Sequence, residues 1–454
     1  MSIKIMSAPD YRRELGGGLV LRWSTSADLD RLLQLYSAVF RDKQDSPPNL
    51  RMQAWVRDMM SGRHPLLGPG DFALVEDTER GTAVAATCLM DQEWEYDGVP
   101  FPVGRPEIVA TLPGYRERGL VRAIFELIHA RSAQNGHMAQ GITGIEYYYR
   151  QFGYEYALDL GGDRSVYFGA IPQLKADQPE PYALRDATLA DLPQVRALYE
   201  RERGRGPVST RLGESYWRWL MDGQNIESGE GWRTQLIVNA AGQSLGYVLP
   251  LWKRWGNAYP VVGLAVEPGV GLPSVLPSVL RALQTQAPST LTSRPDPPAP
   301  VRIAFVLGRA HPVYDALGPA LAATYDPPYA WYVRVPELPR FIQHIAPALE
   351  RRLADSIVAG YTGELRINFY RGGLRLVFAD GRLTNAEHWN ARAIHWGPRP
   401  NAGFPPLVFL QLLFGRRSLD ELRYAFPDVT AEEEARPVLE ALFPAQPAWV
   451  LPLD

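Results

Sequence analysis

The sequence of 454 residues is poor in several things that would settle its class at once. Its one cysteine, Cys88, excludes a disulfide framework and a cysteine-rich zinc site. Inside the apolar run TAVAATCLM it reads as a small buried hydrophobe. Seven histidines fall into no HExxH or Glu-x-x-His pattern. His388 and His395 are too isolated to argue for a site, so no metal is expected. No run of eighteen apolar residues is present, so no membrane span is expected. The opening MSIKIMSAPDYRRELGGG lacks a signal-peptide core, which predicts a cytoplasmic protein. An excess of one charge is missing too: 47 basic residues stand against 50 acidic ones, with no basic stripe to recommend nucleic acid.

What is there is length enough for two to four domains, and one stretch around which they organise, EIVATLPGYRERGLVRAIFELI from Glu107. Glu107 to Thr111 reads as a β-branched strand stopped at Pro113-Gly114. From there Leu120, Val121, Ile124, Phe125 and Ile128 fall at helical spacing. Between the two lies Arg116-Glu117-Arg118-Gly119. A strand, a glycine and a helix start aim unpaired N–H groups and two guanidinium groups at one point, which suits a pyrophosphate. Each charge-assisted bond there is worth roughly 1.5–3 kcal/mol. Further on comes Tyr149-Arg150-Gln151-Phe152-Gly153-Tyr154.

The chain also repeats itself. LRWSTSADLDRLLQLY from Leu21 and LRDATLADLPQVRALY from Leu184 share Leu-Arg, Thr, Ala-Asp-Leu and a final Leu-Tyr, each predicting a strand and then a capped helix. Hairpins are expected at Arg80-Gly81 and Ala241-Gly242. In the second copy RERGL becomes GLPSV (Gly271 to Val275), which has no arginine, and the helix that follows, from Leu276 to Leu283, contains Pro277. Tyr314, Leu317 and Gly318 answer Tyr149, Phe152 and Gly153. The G-x-S-x-G spelled by Gly242 to Gly246 lies between strands, so a hairpin is expected rather than a nucleophile elbow. Pro172 to Pro181 reads as a linker between the copies, and Ala287 to Pro300 as a surface loop. From about Pro336 a helix, three strands turning at Arg371-Gly372-Gly373 and Asp380-Gly381, and apolar helices predict an α+β unit.

Arg116 and Gly119 with their strand resemble the coenzyme A loop of the GNAT superfamily of N-acetyltransferases (Arg/Gln-x-x-Gly-x-Gly/Ala), with Val121 where a second small residue is usual. Tyr-x-x-Phe-Gly-Tyr is similar to the close of the GNAT core. With the degenerate second copy, the pattern resembles the Eis-like (enhanced intracellular survival) acetyltransferases. The resemblance implies an α/β (α+β) architecture: a catalytic GNAT domain at 1–175, a degenerate one at 176–335 and a sterol-carrier-protein-like domain at 336–454. It implies acetyl-CoA as co-substrate, an amine acceptor such as a polycationic small molecule or a lysine side chain, and a homo-oligomer, commonly a hexamer. Val109, Ala110, Thr111, Arg116, Glu117, Arg118, Gly119, Leu120, Val121 and Arg122 are then expected to line the cofactor, with Gly144 and Ile145 at its far end.

Acetyl transfer needs a neutral amine, and an ammonium with pKa near 10.4 is only about one part in a thousand neutral at pH 7, a deficit of roughly 4–5 kcal/mol. It also needs support for the oxyanion, for which the Thr111 N–H is a candidate, and a proton for the leaving thiolate. By resemblance Tyr149 is the general acid, with Tyr148 the alternative one register away. The resemblance also places a terminal carboxylate in the site, here Asp454, as possible base. The run Asp91-Gln92-Glu93-Trp94-Glu95-Tyr96 offers another: alternation puts Asp91 and Glu93 on one face and Trp94 on the other, so Asp91, Glu93 and Trp94 are candidates to meet a cationic amine. A non-catalytic acyl-CoA sensor or lipid-binding scaffold is the competing reading.

Overall fold

The computed structural model describes residues 3–453 apart from 42, 44, 176, 293–296 and 391–398. After a short α1 (Ile3–Met6), the strands β1 (Arg12–Gly16), β2 (Leu19–Trp23), β3 (Phe72–Asp77), β4 (Thr82–Tyr96) and β5 (Val99–Thr111) follow one another antiparallel, and β6 (Ala139–Ile142) joins β5 in parallel. Helices α2 (Leu29–Val39) and α3 (Leu50–Met60) cover one face, where Leu32, Tyr36 and Val56 pack on Phe72, Cys88 and Ile108. Helix α4 (Leu120–Gln134) covers the other, with Ile124 and Ile128 against Leu21, Ala73 and Leu89. Each such side chain contributes about 1.5–3 kcal/mol by leaving water.

β4 and β5, 15 and 13 residues long, form an unusually long hairpin. It turns at Asp97-Gly98, both left-handed (φ 46° and 83°), as a tight hairpin turn requires. Its tip leaves the helical layer, and Trp94, Tyr96 and Phe101 enter the core of the third unit beside Phe341 and Phe414.

After β7 (Glu155–Leu160) the chain does something that no local pattern announces. β8 (Asp163–Tyr167) does not return to β7 but inserts in the sheet of the second copy. That copy comprises β9 (Tyr182–Asp186), α5 (Leu192–Arg203), β10 (Val208–Arg211), α6 (Glu214–Arg218), β11 (Gln235–Asn239), β12 (Ser244–Pro250), β13 (Lys253–Arg254), β14 (Ala258–Val266), α7 (Leu272–Gln286), β15 (Leu291–Thr292), β16 (Arg302–Phe305), α8 (Pro312–Leu321) and β17 (Thr324–Asp326). Its sheet runs β17-β8-β16-β14-β12-β11-β9. In return β18 (Tyr329–Arg334) crosses to the first sheet and lies between β6 and β7, while β10 lengthens that sheet along the tip of β4. The two lobes exchange a strand each, so sheet membership does not follow chain order.

The repeat is visible down to its side chains. Thr25 with Asp28 and Thr188 with Asp191 form reciprocal capping boxes. Arg22 clamps Asp28 at 2.7 and 2.8 Å, and Arg185 clamps Asp191 at the same two distances. The hairpin expected at Gly242 is there, with Ser244 opening β12, so the G-x-S-x-G is a turn.

The third unit runs α9 (Leu338–His344), α10 (Ala346–Ala354), β19 (Gly363–Asn368), β20 (Gly373–Ala379), β21 (Arg382–His388), β22 (Ala402–Gly403), α11 (Phe409–Leu413), α12 (Leu419–Ala425), β23 (Thr430–Ala431) and α13 (Arg436–Leu442). The three strands turn where expected, and Ser418 with Glu421 caps α12. The chain then runs back between the lobes. Trp449 N–H bonds Val208, Leu451 N–H bonds the Thr210 hydroxyl at 3.0 Å, and Leu451 and Leu453 are buried with Trp217 and Leu249. Among the described residues no helix is long and apolar enough to cross a membrane.

Candidate active site

β5 and β6 touch only at Val103–Ala139 and Gly104–Gln140. Beyond Gly104, β5 has no strand neighbour on that side, and the two strands part. The wedge so opened is a cavity of about 770 Å³ that passes from the α4 face of the sheet to the α2–α3 face. One arm supplies Glu107, Ile108, Val109 and Thr111, the other Ile142, Thr143, Gly144 and Ile145. A bulge marks the opening. Ile108 and Val109 together face Thr87, and Ile108 is left-handed at φ 47°, a conformation costly for a β-branched residue.

At the α4 end the cavity meets Arg116, Glu117, Gly119, Leu120, Val121 and Arg122. Glu117 and Gly119 are both left-handed (φ 63° and 74°), and no side chain caps the helix. The first amides of α4 therefore remain unpaired at the cavity, with the positive end of the helix dipole behind them. This donor set fits a pyrophosphate. The second lobe lacks it: Gly271 is extended at φ −78°, and Pro273 in the first turn of α7 has no N–H to offer.

Tyr149 lines the same cavity, 2% exposed, on a turn that ends at left-handed Gly153. Its ring stands against Phe125, Tyr148, Tyr154 and, from the exchanged strand, Tyr332 at 5.4 Å. Burial, and then the Glu107 carboxylate, push its pKa well above the ordinary phenol range, so it stays protonated. No described residue bonds its hydroxyl. Its counterpart Tyr314 is committed to the backbone, accepting from Leu307 N–H at 3.0 Å and donating to Phe305 at 2.8 Å. Arg122 bonds Gln151 at 3.0 Å, joining the start of α4 to the tyrosine turn. Tyr148 lines the cavity as well.

Several expected residues lie elsewhere. Ala110 points into the core under α2 and α3. Arg118 folds back over the Tyr115 ring at 5.0 Å and bonds Gly114. The acidic face of β4 is corrected: its carboxylates are held in ion pairs away from the cavity. Asp91 pairs with His137 at 3.0 Å, Glu93 with Arg211 at 2.8 Å, and Trp94 is fully buried with its indole N–H on Gln92. None of the three lines the cavity: Asp91 is held by Asn135 and His137 at the end of α4, while the hairpin carries Glu93 to β10 and Trp94 into the core of the third unit. Asp454 lies outside the described residues. Among those described, no group of three or more His, Cys, Asp or Glu residues could hold a metal ion.

Besides Glu117 at the α4 end, Glu107 lines the wedge. Arg105 Nη2 holds its Oε2 at 2.5 Å, and Arg105 Nη1 donates to the Leu453 carbonyl. This arginine is buried and ties the end of the chain to the wall of the cavity. Alternation along β5 could have signalled Glu107; nothing in the sequence pairs Arg105 with Leu453. A second cavity of about 520 Å³ lies behind Thr143, which lines both. Four carboxylates line it: Asp159 pairs with Arg309 at 2.9 Å and Glu230 with Lys253, Asp163 accepts from the Ser165 hydroxyl at 3.0 Å, and Asp326 stands 3.9 Å from Arg302.

With this geometry in hand, residues 21–157 match the family model for the acetyltransferase (GNAT) domain. The lobe that holds the wedge is an acetyltransferase domain, and its fold is one that draws an acyl group from acyl-CoA. Among solved structures the chain is similar to a conserved protein of unknown function from Enterococcus faecalis (13% identity, 96% of this chain and 100% of that one, TM-score 0.67). It is similar to a GCN5-related N-acetyltransferase from Kribbella flavida (19%, 96% and 98%, TM-score 0.64) and to Eis1 from Mycobacterium abscessus (15%, 95% and 99%, TM-score 0.55). At these identities the likeness is one of fold. No curated protein matches the sequence.

Proposed function

We propose that this protein is an acetyl-CoA-dependent N-acetyltransferase of the Eis-like kind, in which a primary amine attacks the thioester directly. The observation that carries the reading is the uncapped start of α4 opening onto the wedge that Tyr149 lines. In it Arg116, Gly119 and the amides of Leu120, Val121 and Arg122 hold the pyrophosphate. The pantetheine arm lies between Val109–Thr111 and Gly144–Ile145 and takes the place of the missing strand neighbour. A backbone N–H of β5, that of Thr111 or a neighbour, stabilises the oxyanion. Tyr149, kept protonated, donates to the departing sulfur, and a carboxylate at Asp454 takes the amine proton. Support for the last role comes from Leu453, buried and bonded to the arginine that also holds Glu107. On this reading the chain divides into a catalytic domain at 1–175, a degenerate copy at 176–335 and a sterol-carrier-like unit at 336–454, with β8 and β18 exchanged between the sheets of the first two.

Calorimetric titration with acetyl-CoA, followed by thiol release in the presence of amines, tests the proposal. Binding with amine-dependent release is the expected result. Binding without release by any amine would leave only a sensor of acyl-CoA, and no binding at all would refute the site.

A further inference from the structure

Arg105 of β5 stands where three parts of the chain meet. It is buried, its guanidinium lies over the ring of Trp331 on the exchanged strand β18 at 5.3 Å, and it reaches both the Glu107 carboxylate and the Leu453 carbonyl. The other Glu107 oxygen accepts the N–H of Ile108 at 3.1 Å, and the Glu107 carbonyl accepts the Thr87 hydroxyl at 2.7 Å. These bonds converge on the left-handed bulge that opens the wedge. A β-branched residue keeps that conformation only where its surroundings over-determine it. On the other side of Arg105, residues 449–453 are seated by bonds of their own. The Trp331 indole N–H donates to the Val450 carbonyl at 3.2 Å, and Leu451 N–H to the Thr210 hydroxyl at 3.0 Å. None of Trp449, Leu451 and Leu453 lines the wedge.

We infer that Arg105 is a positioning residue that links the seating of residues 449–453 to the binding of coenzyme A, each favouring the other through Glu107 and the bulge at Ile108. The inference rests on the reading above, in which the coenzyme lies in the wedge. A guanidinium is a rigid planar fork, so one group holds a carboxylate and a carbonyl in fixed directions. With the segment unseated, the Nη1 donor loses its acceptor inside the protein, which is costly, and the guanidinium turns towards water. Glu107 then loses the cation that holds it, and the Ile108 N–H loses a fixed acceptor. The bulge relaxes towards extended backbone, and Val109 and Thr111 on the wall of the wedge move with it. A coenzyme bound along that wall favours the bulged form and therefore the seated segment. Linkage makes the effect equal in both directions.

Hydrogen exchange on the full chain, with and without saturating acetyl-CoA, tests this. The Trp449 and Leu451 amides should exchange about fivefold more slowly, or slower still, with the coenzyme bound, while those of Leu365 and Leu376 in the sheet of the third unit stay unchanged. In Arg105→Lys the ammonium is a single point that pairs with Glu107 and gives up the Leu453 carbonyl. Acetyl-CoA should still bind this variant, severalfold more weakly, and no longer slow the two amides. Thr210→Val strands the Leu451 N–H at a distance from the wedge and should raise the acetyl-CoA Kd about threefold or more, with Thr210→Ser restoring it. Binding to the wild type without slowing at Trp449 and Leu451, or with equal slowing at Leu365 and Leu376, would overturn the inference and leave the transferase reading intact. So would full slowing in Arg105→Lys, or an unchanged Kd in Thr210→Val. No binding of acetyl-CoA to the wild type would overturn both readings.

Discussion

Two glycines in equivalent places, Gly119 and Gly271, allow the division between working lobe and passenger lobe to be tested by one pair of substitutions. Gly119 is left-handed, and a Cβ built on it meets nothing within 4 Å. Gly119→Ala therefore adds no clash, and its cost is conformational, about 1–2 kcal/mol for an L-residue held at that φ. The chain can pay in stability, or it can relax the turn and swing the first amides of α4 out of line. Losing one charge-assisted bond to the diphosphate at roughly 1.5–3 kcal/mol raises Kd about tenfold to a hundredfold. Gly271 is extended, and its Cβ would find only Pro273 and Ser274 atoms at 4.0 Å. Gly271→Ala should leave acetyl-CoA binding unchanged and stability equal or higher by up to about 1 kcal/mol. Calorimetry gives the affinities and urea unfolding the stabilities. If Gly119→Ala keeps both while Gly271→Ala weakens binding, the coenzyme has been assigned to the wrong lobe.

Tyr149→Phe should lower kcat by about 10²–10⁴ with acetyl-CoA affinity within twofold, and the wild-type rate should not decline between pH 8 and 10, since the phenol stays protonated there; an alkaline fall that disappears in the variant would contradict this. His129, half-buried and bonded to Tyr154 at 3.0 Å, has its pKa held down to about 3 by desolvation and then by Arg334. The unfolded chain takes up a proton near pH 6.5 that the folded one refuses until about 3, so stability should fall by up to about 1.4 kcal/mol per pH unit across that window. His129→Gln should flatten the slope, as read from urea midpoints at pH 7 and 5. Gly104→Ala would drive a Cβ to within 2.6 Å of His137 Nδ1 and 2.9 Å of Ser132 Oγ, at the last contact between β5 and β6. A loss of about 1–3 kcal/mol in urea unfolding is expected, with weaker acetyl-CoA binding.

What could be read from the residues alone was whatever is local. The turn before Leu120, the tyrosine turn, the capping boxes and the hairpin glycines each carry their geometry within a few positions, and each is found where the pattern puts it. The failures share one cause. Period two along Asp91–Tyr96 gives the alternation correctly, but it cannot say whether the wet face meets water or Arg203 and Arg211 from the other lobe. Arg105 and Leu453 are 348 positions apart, and Tyr332 comes to Tyr149 on a strand from the far end of the second copy. A strand pattern says that a segment pairs, not with which sheet.

The exchange of β8 for β18 bears on how such a chain can be born and inherited. At about 5–20 residues per second, the ribosome needs roughly 10–30 s after finishing β8 to deliver β18. For that interval β6 and β7 stand with naked edges, the kind of surface that holdase chaperones shield. Cutting the chain after the first lobe would leave β8 without its sheet and β6 and β7 without β18 between them. Each lobe thus completes the other's sheet.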